Sequence, residues 1–180
     1  MQLDIPIMGD EIFLRSMTAE DASDFYLSWM NDPDVNRYLE VRFSPPQTTE
    51  ALAAFIDLCN QSKDDLLLGI FLRATDQHIG NIKLGPINWA HRSGEVGLLI
   101  GDQAQWGKGH AARAISLISS YAFEYLKLEK LTAGCYSSNV GSERAFLRSG
   151  YVSEGKRIGQ VAVESGREDL LLFGRVNPSS

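Results

Sequence analysis

Trp106-Gly107-Lys108-Gly109-His110-Ala111-Ala112 is the stretch from which the architecture can be read. Its two glycines and two alanines let a backbone come close to a ligand. A long helix is predicted to follow: Ala111, Ala114, Ile115, Ile118, Ala122, Tyr125 and Leu126 fall on one apolar stripe over four turns. A β-rich run, Glu95–Ile100, precedes it. The first N–H groups of such a helix have no internal partner and sit at the positive end of its dipole. Strand, glycine loop and helix mouth together form an anion site made of main chain, and a diphosphate suits it.

Three readings of this loop compete. A Walker loop needs Gly-Lys followed by Ser or Thr, and Lys108 is followed by Gly109. Gly107-x-Gly109-x-x-Ala112 matches a dinucleotide fingerprint in form, but that fingerprint follows the first strand of a βαβ unit and needs an acid at the end of the next strand. Here the preceding segments read as a meander. Leu66–Arg73, His78–Leu84 and Glu95–Ile100 are separated by Ala74-Thr75-Asp76-Gln77 and by the turn chemistry from Gly85-Pro86 to Ser93-Gly94. Connections this short imply antiparallel pairing. The third reading is a bare glycine turn that caps the helix.

Further out, Glu11–Arg15 reads as a first strand. Thr18 and Asp21 resemble a capping box opening a helix that carries Phe25, Tyr26, Trp29 and Met30 and stops at Asn31-Asp32-Pro33. A second helix is expected over Thr49–Cys59. Downstream come a strand (Leu131–Tyr136), a shorter helix (Val140–Arg148) and a terminal strand pair (Val152–Val163 and Asp169–Val176). This order predicts a single α/β domain over residues 1–176 with a mixed, mainly antiparallel sheet, followed by a disordered tail over 177–180.

With 180 residues, 44% hydrophobic and 22% charged, the chain is sized for one domain with a real core. A formal net charge of −6 with scattered basic residues argues against a nucleic-acid partner. No apolar run approaches the ~20 residues that cross a bilayer, and Met1–Pro6 lacks the pattern of a signal peptide, so a cytoplasmic location is expected. Cys59 and Cys135 form no motif and read as reduced core thiols. No metal is expected.

The loop resembles motif A of the GCN5-related N-acetyltransferases, Gln/Arg-x-x-Gly-x-Gly/Ala. Trp106 takes the Gln/Arg place, Gly109 the glycine and Ala111 the last position. Trp-Gly-Lys-Gly-aromatic-Ala is typical of the branch that includes the ribosomal-protein N-terminal acetyltransferases, with His110 standing where that branch usually has Tyr. Gly94–Ile100 resembles the family's fourth strand, Leu131–Tyr136 its fifth, and Asn139-x-x-Ser142 leading to Phe146–Tyr151 its following helix. Leu14-Arg15 and Trp29-x-Asn31-Asp32-Pro33 match the branch's N-terminal region, so nearly the whole chain is covered. The resemblance implies a fold of six or seven strands and about four helices, with the fourth and fifth strands splayed. It implies acetyl-CoA as co-substrate, and direct attack by a primary amine with no cysteine nucleophile.

The same resemblance assigns roles. Leu98, Leu99 and Ile100 hold the pantetheine arm, and a strand N–H near Leu99 polarises the thioester carbonyl. Trp106, Gly107, Lys108, Gly109, His110, Ala111 and Ala112 hold the diphosphate. Asn139 is either a cofactor contact or a helix N-cap, and Arg148 either meets the 3′-phosphate or faces solvent. Many relatives carry a Tyr as thiolate acid where this chain has Phe146, lining the cofactor site, which leaves Ser142 as the substitute acid or a small first-turn residue. Glu95 is either the base or half of a surface ion pair with Arg92 or Arg113. His78 reads as structural and His91 as solvated. Trp29, Tyr38, Phe43 and Trp89 are candidates for the acceptor pocket, core packing being the alternative for Trp29. The acceptor amine belongs either to a protein N-terminus or to a small molecule. Ile79–Gly85 with Ile87-Asn88-Trp89 resembles relatives that use the amino group of a sugar nucleotide. A CoA-binding sensor without catalysis is the reading from another class, motivated by Phe146. A homodimer is expected by analogy alone.

Overall fold

Leu66-Leu67-Leu68-Gly69-Ile70-Phe71-Leu72 is apolar throughout, as a strand covered on both faces must be. Leu66, Leu68 and Ile70 point into the larger core, and Leu67 points into a smaller one on the other face. In the computed structural model, which describes residues 1–178, this strand lies inside one eight-stranded sheet. The elements are β1 (Ile7–Met8), β2 (Ile12–Ser16), α1 (Asp24–Asn31), α2 (Pro33–Asn36), α3 (Thr49–Gln61), β3 (Leu66–Leu72), β4 (His78–Asn88), β5 (Ser93–Ile100), α4 (His110–Glu124), β6 (Lys130–Tyr136), α5 (Val140–Arg148), β7 (Val152–Val163) and β8 (Gly166–Val176). The strand order is β1-β2-β3-β4-β5-β6-β8-β7, antiparallel everywhere except β5–β6. Among the described residues the count of eight strands and five α-helices exceeds the expected six or seven and four. A two-residue edge strand, Ile7–Met8, pairs with Leu14 and Phe13, and a one-turn helix opens at Pro33.

One face carries α4 and α5 over a core of Ile12, Leu14, Ile82, Val96, Ile115, Ile118, Leu131 and Phe146; the other carries α1 and α3 around Met17, Tyr26, Trp29, Leu52 and Ile56. Several local expectations are corrected. The Thr18–Asp21 capping box exists, but it closes a 3-10 turn, and α1 starts later on Ser23, whose hydroxyl accepts from the Tyr26 amide. Helix α1 does stop at Asn31, as expected, but a separate one-turn helix follows at once, with Pro33 at the first position of α2, where no N–H is needed. Strand β4 continues past Gly85-Pro86 to Asn88, because a bulge between Leu84 and Ile87 absorbs the proline. The α4 stripe stops short of Tyr125, which is exposed and stacks on Tyr121 after the helix has ended at Glu124. Of the tail expected over 177–180, residues 179 and 180 lie outside the described residues, while the Asn177 amide donates to Glu129 O at 2.8 Å.

His78 is packed among Tyr26, Trp29 and Phe71, with Nε2 at 2.9 Å from Asn81 Oδ1 and 3.0 Å from Gly80 O. Its structural reading holds. Burial pushes its pKa below the ordinary 6.5, and burial does the same to His110. The unfolded chain therefore takes up these protons more readily than the folded one. The stability they contribute is complete above about pH 6.5 and is lost as pH falls below it. Thermal unfolding between pH 8 and pH 5 should show a melting temperature that drops below that point, with a shallower drop in His78→Gln.

Candidate active site

Strands β5 and β6 run parallel but pair only at Ser93–Lys130, Gly94–Leu131 and Glu95–Thr132, after which they diverge. The gap between them opens a cleft of about 940 Å³. Alternate residues of an antiparallel ladder turn their N–H and C=O to the partner strand. The Gly101 amide bonds Ile79 O on the β4 side, so residues 99 and 97 face β4 and residues 96, 98 and 100 turn their polar groups to the gap. The free amides beside the expected oxyanion position are thus those of Leu98 and Ile100, while Leu99 spends its own on β4. The Ile100 carbonyl accepts from Trp106 Nε1 at 2.7 Å. An indole in the place of Gln or Arg therefore ties the glycine loop to the end of β5.

The loop itself is a cradle. Gly107 and Gly109 have φ of 76° and 84°, a left-handed conformation open to glycine at little cost. The first amide to close a helical bond in α4 is Arg113, onto Gly109 O. None of the amides from Gly107 to Ala112 donates a hydrogen bond among the described residues. Six unspent N–H groups at the mouth of a fifteen-residue helix fit a diphosphate, so the residues present suit CoA. Arg113 braces the loop from behind, donating from Nη1 to Lys108 O at 2.8 Å and from Nη2 to Glu11 Oε1 at 2.7 Å. The sequence reading missed this role.

Of the residues singled out in the sequence, the cleft collects Tyr38, Glu95, Leu98, Leu99, Ile100, Trp106, Gly107, Gly109, His110, Ala111, Ala112, Asn139, Ser142, Phe146 and Arg148. Lys108 gives its amide to the cradle while its side chain turns to Gln105 Oε1. Three lie elsewhere. Trp29 is core, 7% exposed and wedged so close to Gly101 that a side chain there would collide with its ring. Phe43 is exposed beneath the Arg42 guanidinium. Trp89 sits in the β4–β5 turn with Nε1 donating to Asp64.

Glu95, Gly97 and Leu99 share one face of β5, since Val96 is buried in the core on the opposite face and Leu99 packs towards α1 and α3. The ion pairs once open to Glu95 are taken elsewhere: Arg92 pairs with Glu129 and Arg113 with Glu11. Asn139 caps α5, accepting from the Ser142 amide at 3.1 Å, and also lines the cleft. Ser142 lines the cleft near the Cys135 thiol, which burial pushes up to about 11, so this thiol stays protonated at neutral pH. Phe146 is 1% exposed between Tyr151 and Phe173 and brings no proton to the site. Phe146→Ala should cost about 3–5 kcal/mol in urea unfolding, since it empties the junction of α5 with the sheet.

The unforeseen part of the site is a strap from Asp32 to Pro46, closed at its base where Gln47 N and O bond the Asn31 side chain at 2.7 and 3.1 Å. It crosses to the β6 side of the gap. Tyr38 donates to Ser138 O at 3.2 Å, Glu40 Oε1 accepts from the Tyr136 hydroxyl at 3.1 Å, and Arg42 donates to Ala162 O. Burial first, and then the Glu40 carboxylate, raises the Tyr136 pKa. Asp34, Glu40 and Glu95 all line the cleft. The basic residues Arg144 and Arg148 come from α5 on the α4 side, and the Arg37 guanidinium lies over Tyr38. Short charged residues on an irregular strap carry no periodicity, so no sequence signal pointed to Asp34 or Glu40. Among the described residues no helix is long and apolar enough to cross a membrane, and no group of three potential metal ligands occurs.

Comparison with known proteins agrees with this geometry. A family model described as an acetyltransferase (GNAT) domain matches residues 11–152. The uncharacterized N-acetyltransferase YoaA of Bacillus subtilis is 33% identical over 148 residues, 81% of this chain and 82% of that protein. An acetyltransferase of the GNAT family from Bacillus anthracis superposes with a TM-score of 0.82 at 20% identity, covering 96% of this chain and 99% of the other. A spermidine N-acetyltransferase from Vibrio cholerae, solved in complex with CoA and spermine, gives 0.82 at 20% identity, with 94% and 97% covered. The matched domain, the splayed strands and the unspent amides agree: the chain belongs to the GNAT acetyltransferase family, whose acetyl donor is acetyl-CoA.

Proposed function

We propose that the protein transfers acetyl from acetyl-CoA directly onto a primary amine of a small cationic acceptor. The observation that carries this reading is the set of three carboxylates on the strap side of the cleft, Asp34, Glu40 and Glu95, which outnumber the one cation lining that side, Arg37, whose guanidinium lies over the Tyr38 ring. An ammonium group is drawn to such a site, and a strap held down at Tyr38, Glu40 and Arg42 leaves less room for a polypeptide end than for a small molecule. The spermine bound to the V. cholerae spermidine acetyltransferase supports the same choice.

Acetyl-CoA supplies the activated carbonyl carbon. Its diphosphate is held by the amides of Gly107–Ala112, and its pantetheine arm is held by the gap-facing groups of Val96, Leu98 and Ile100. Glu95 accepts the proton that makes the amine nucleophilic. The Leu98 amide stabilises negative charge on the carbonyl oxygen. Ser142, which lines the cleft, is the proposed donor of the proton to the departing sulfur. The test is release of CoA thiol with a panel of amines: spermidine, spermine, glucosamine, an amino-sugar nucleotide and peptides with free N-termini. Turnover of spermidine and spermine is expected. Turnover of peptides alone would refute the acceptor class. Tight acetyl-CoA binding without turnover of any amine would instead support the sensor reading, for which Phe146 is the only structural argument.

A further inference from the structure

Two glycines in the walls of the cleft are unexplained by the fold. Gly97 lies inside β5 and Gly134 inside β6, both exposed and both lining the cleft. Neither has a left-handed φ, so neither backbone requires glycine. Packing does not require it either. A Cβ on Gly97 would meet no atom within 4 Å, and one on Gly134 would make only ordinary contacts, 3.6 Å from Leu170 Cδ1 and Leu171 O. Other strand glycines are different: a Cβ at Gly80 would run into Leu99 O, and one at Gly69 would strike the Phe71 ring. Glycine inside a strand is otherwise a liability, because it loses conformational entropy and packs nothing. Its presence without local cause marks a place where something else approaches the backbone.

Both positions face the same way. Gly97 shares its face with Glu95 and Leu99, opposite the core that holds Val96. Gly134 shares its face with Tyr136, since Ala133 and Cys135 point into the α4 core. Tyr136 in turn bonds Glu40 of the strap. The two bare peptides therefore flank the gap on the side covered by the strap, between Glu95 on one strand and Tyr136 on the other.

We propose that Gly97 and Gly134 form the floor of the acceptor seat and set the size of the amine it admits. Absent side chains leave a flat peptide surface on which the carbon chain beside the reacting amine lies, under Tyr38 and Glu40. This rests on the acceptor occupying the acidic side of the cleft, as proposed above. The closing experiment uses whichever amine of the panel the wild-type protein turns over best, so the choice of acceptor class and the role of the glycines fail separately.

The test compares Gly97→Ala, Gly134→Ala and Gly97→Val with wild type in three measurements: the melting temperature, the acetyl-CoA Kd by calorimetry, and steady-state kinetics with the acceptor. The melting temperature of Gly97→Ala is expected to rise, because the fold has room for the methyl and gains from it. The acetyl-CoA Kd should stay within twofold of wild type, while kcat/KM for the acceptor falls about tenfold or more through KM, further for Val than for Ala. A purely structural glycine would show the reverse, a lower melting temperature with intact kinetics, and that result overturns the proposal. An acetyl-CoA Kd that rises in step with the acceptor KM also overturns it, since the glycines would then serve the donor.

Discussion

Gly109→Val is expected to raise the acetyl-CoA Kd by more than about 100-fold, while far-UV circular dichroism stays that of the folded protein. Gly109 has φ of 84°, a region closed to a β-branched residue, and its Cβ would sit 2.7 Å from Arg113 Nη1. That guanidinium nitrogen donates to Lys108 O, so the clash reaches the loop from both sides. The guanidinium can swing aside, but valine cannot keep the left-handed φ, so residues 107–109 must turn away from the helix mouth and the amides lose their convergence. Each lost bond to a charged phosphate oxygen is worth about 1.5–3 kcal/mol, so two such losses give the stated change. The core beneath α4 is untouched, because Ala114, Ile115 and Ile118 carry it. A calorimetric Kd within threefold of wild type would show that the diphosphate is bound elsewhere.

Glu95→Gln is expected to lower kcat/KM by roughly 10²–10³-fold with little change in acetyl-CoA affinity. Glu95 lines the cleft, and no side chain of the described residues pairs with it, so the substitution removes a proton acceptor and disturbs no ion pair. The deficit should shrink as pH rises towards the acceptor's own pKa, about 10 for an alkylamine, because the amine then loses its proton without help. The pH profile of the ratio of wild-type to variant activity separates this role from mere placement of the substrate, which would give a constant ratio. A flat ratio would remove Glu95 as the base.

The element order was readable because most of it rests on periodicity and on glycine. The apolar repeat of α4 and the all-apolar β3 each have one physical interpretation in that order, and the Gly107–Gly109 loop marks the break before α4. What resisted reading was set by tertiary contact. Trp29 looked equally suited to pocket or core, and only the side chain-free Gly101 beneath its ring decides for core. Lys108 belonged to the motif by position, yet only its unspent amide faces the helix mouth, and its side chain turns to Gln105. Phe43 and Trp89 were chosen as aromatics near the expected pocket, and both turn outward. Glu40 and Tyr136 were passed over because their meeting spans 96 residues and follows no spacing rule. The bulge that carries β4 across Gly85-Pro86 is likewise a property of its neighbours, since it depends on pairing with Ile87 and Asn88 that the tetrapeptide itself does not announce.

Three rungs, Ser93–Lys130 to Glu95–Thr132, are all that lace the N-terminal five strands to the C-terminal three within the sheet. Apart from the two-residue edge strand β1, the seam is therefore the most thinly laced line in the ladder, and the proposed donor site runs along its unlaced length beside β5. Amides of β6 beyond Thr132 should exchange with deuterium by opening of this seam in the free protein. Saturating CoA should slow them more than it slows β3, even though most of those amides never touch the ligand.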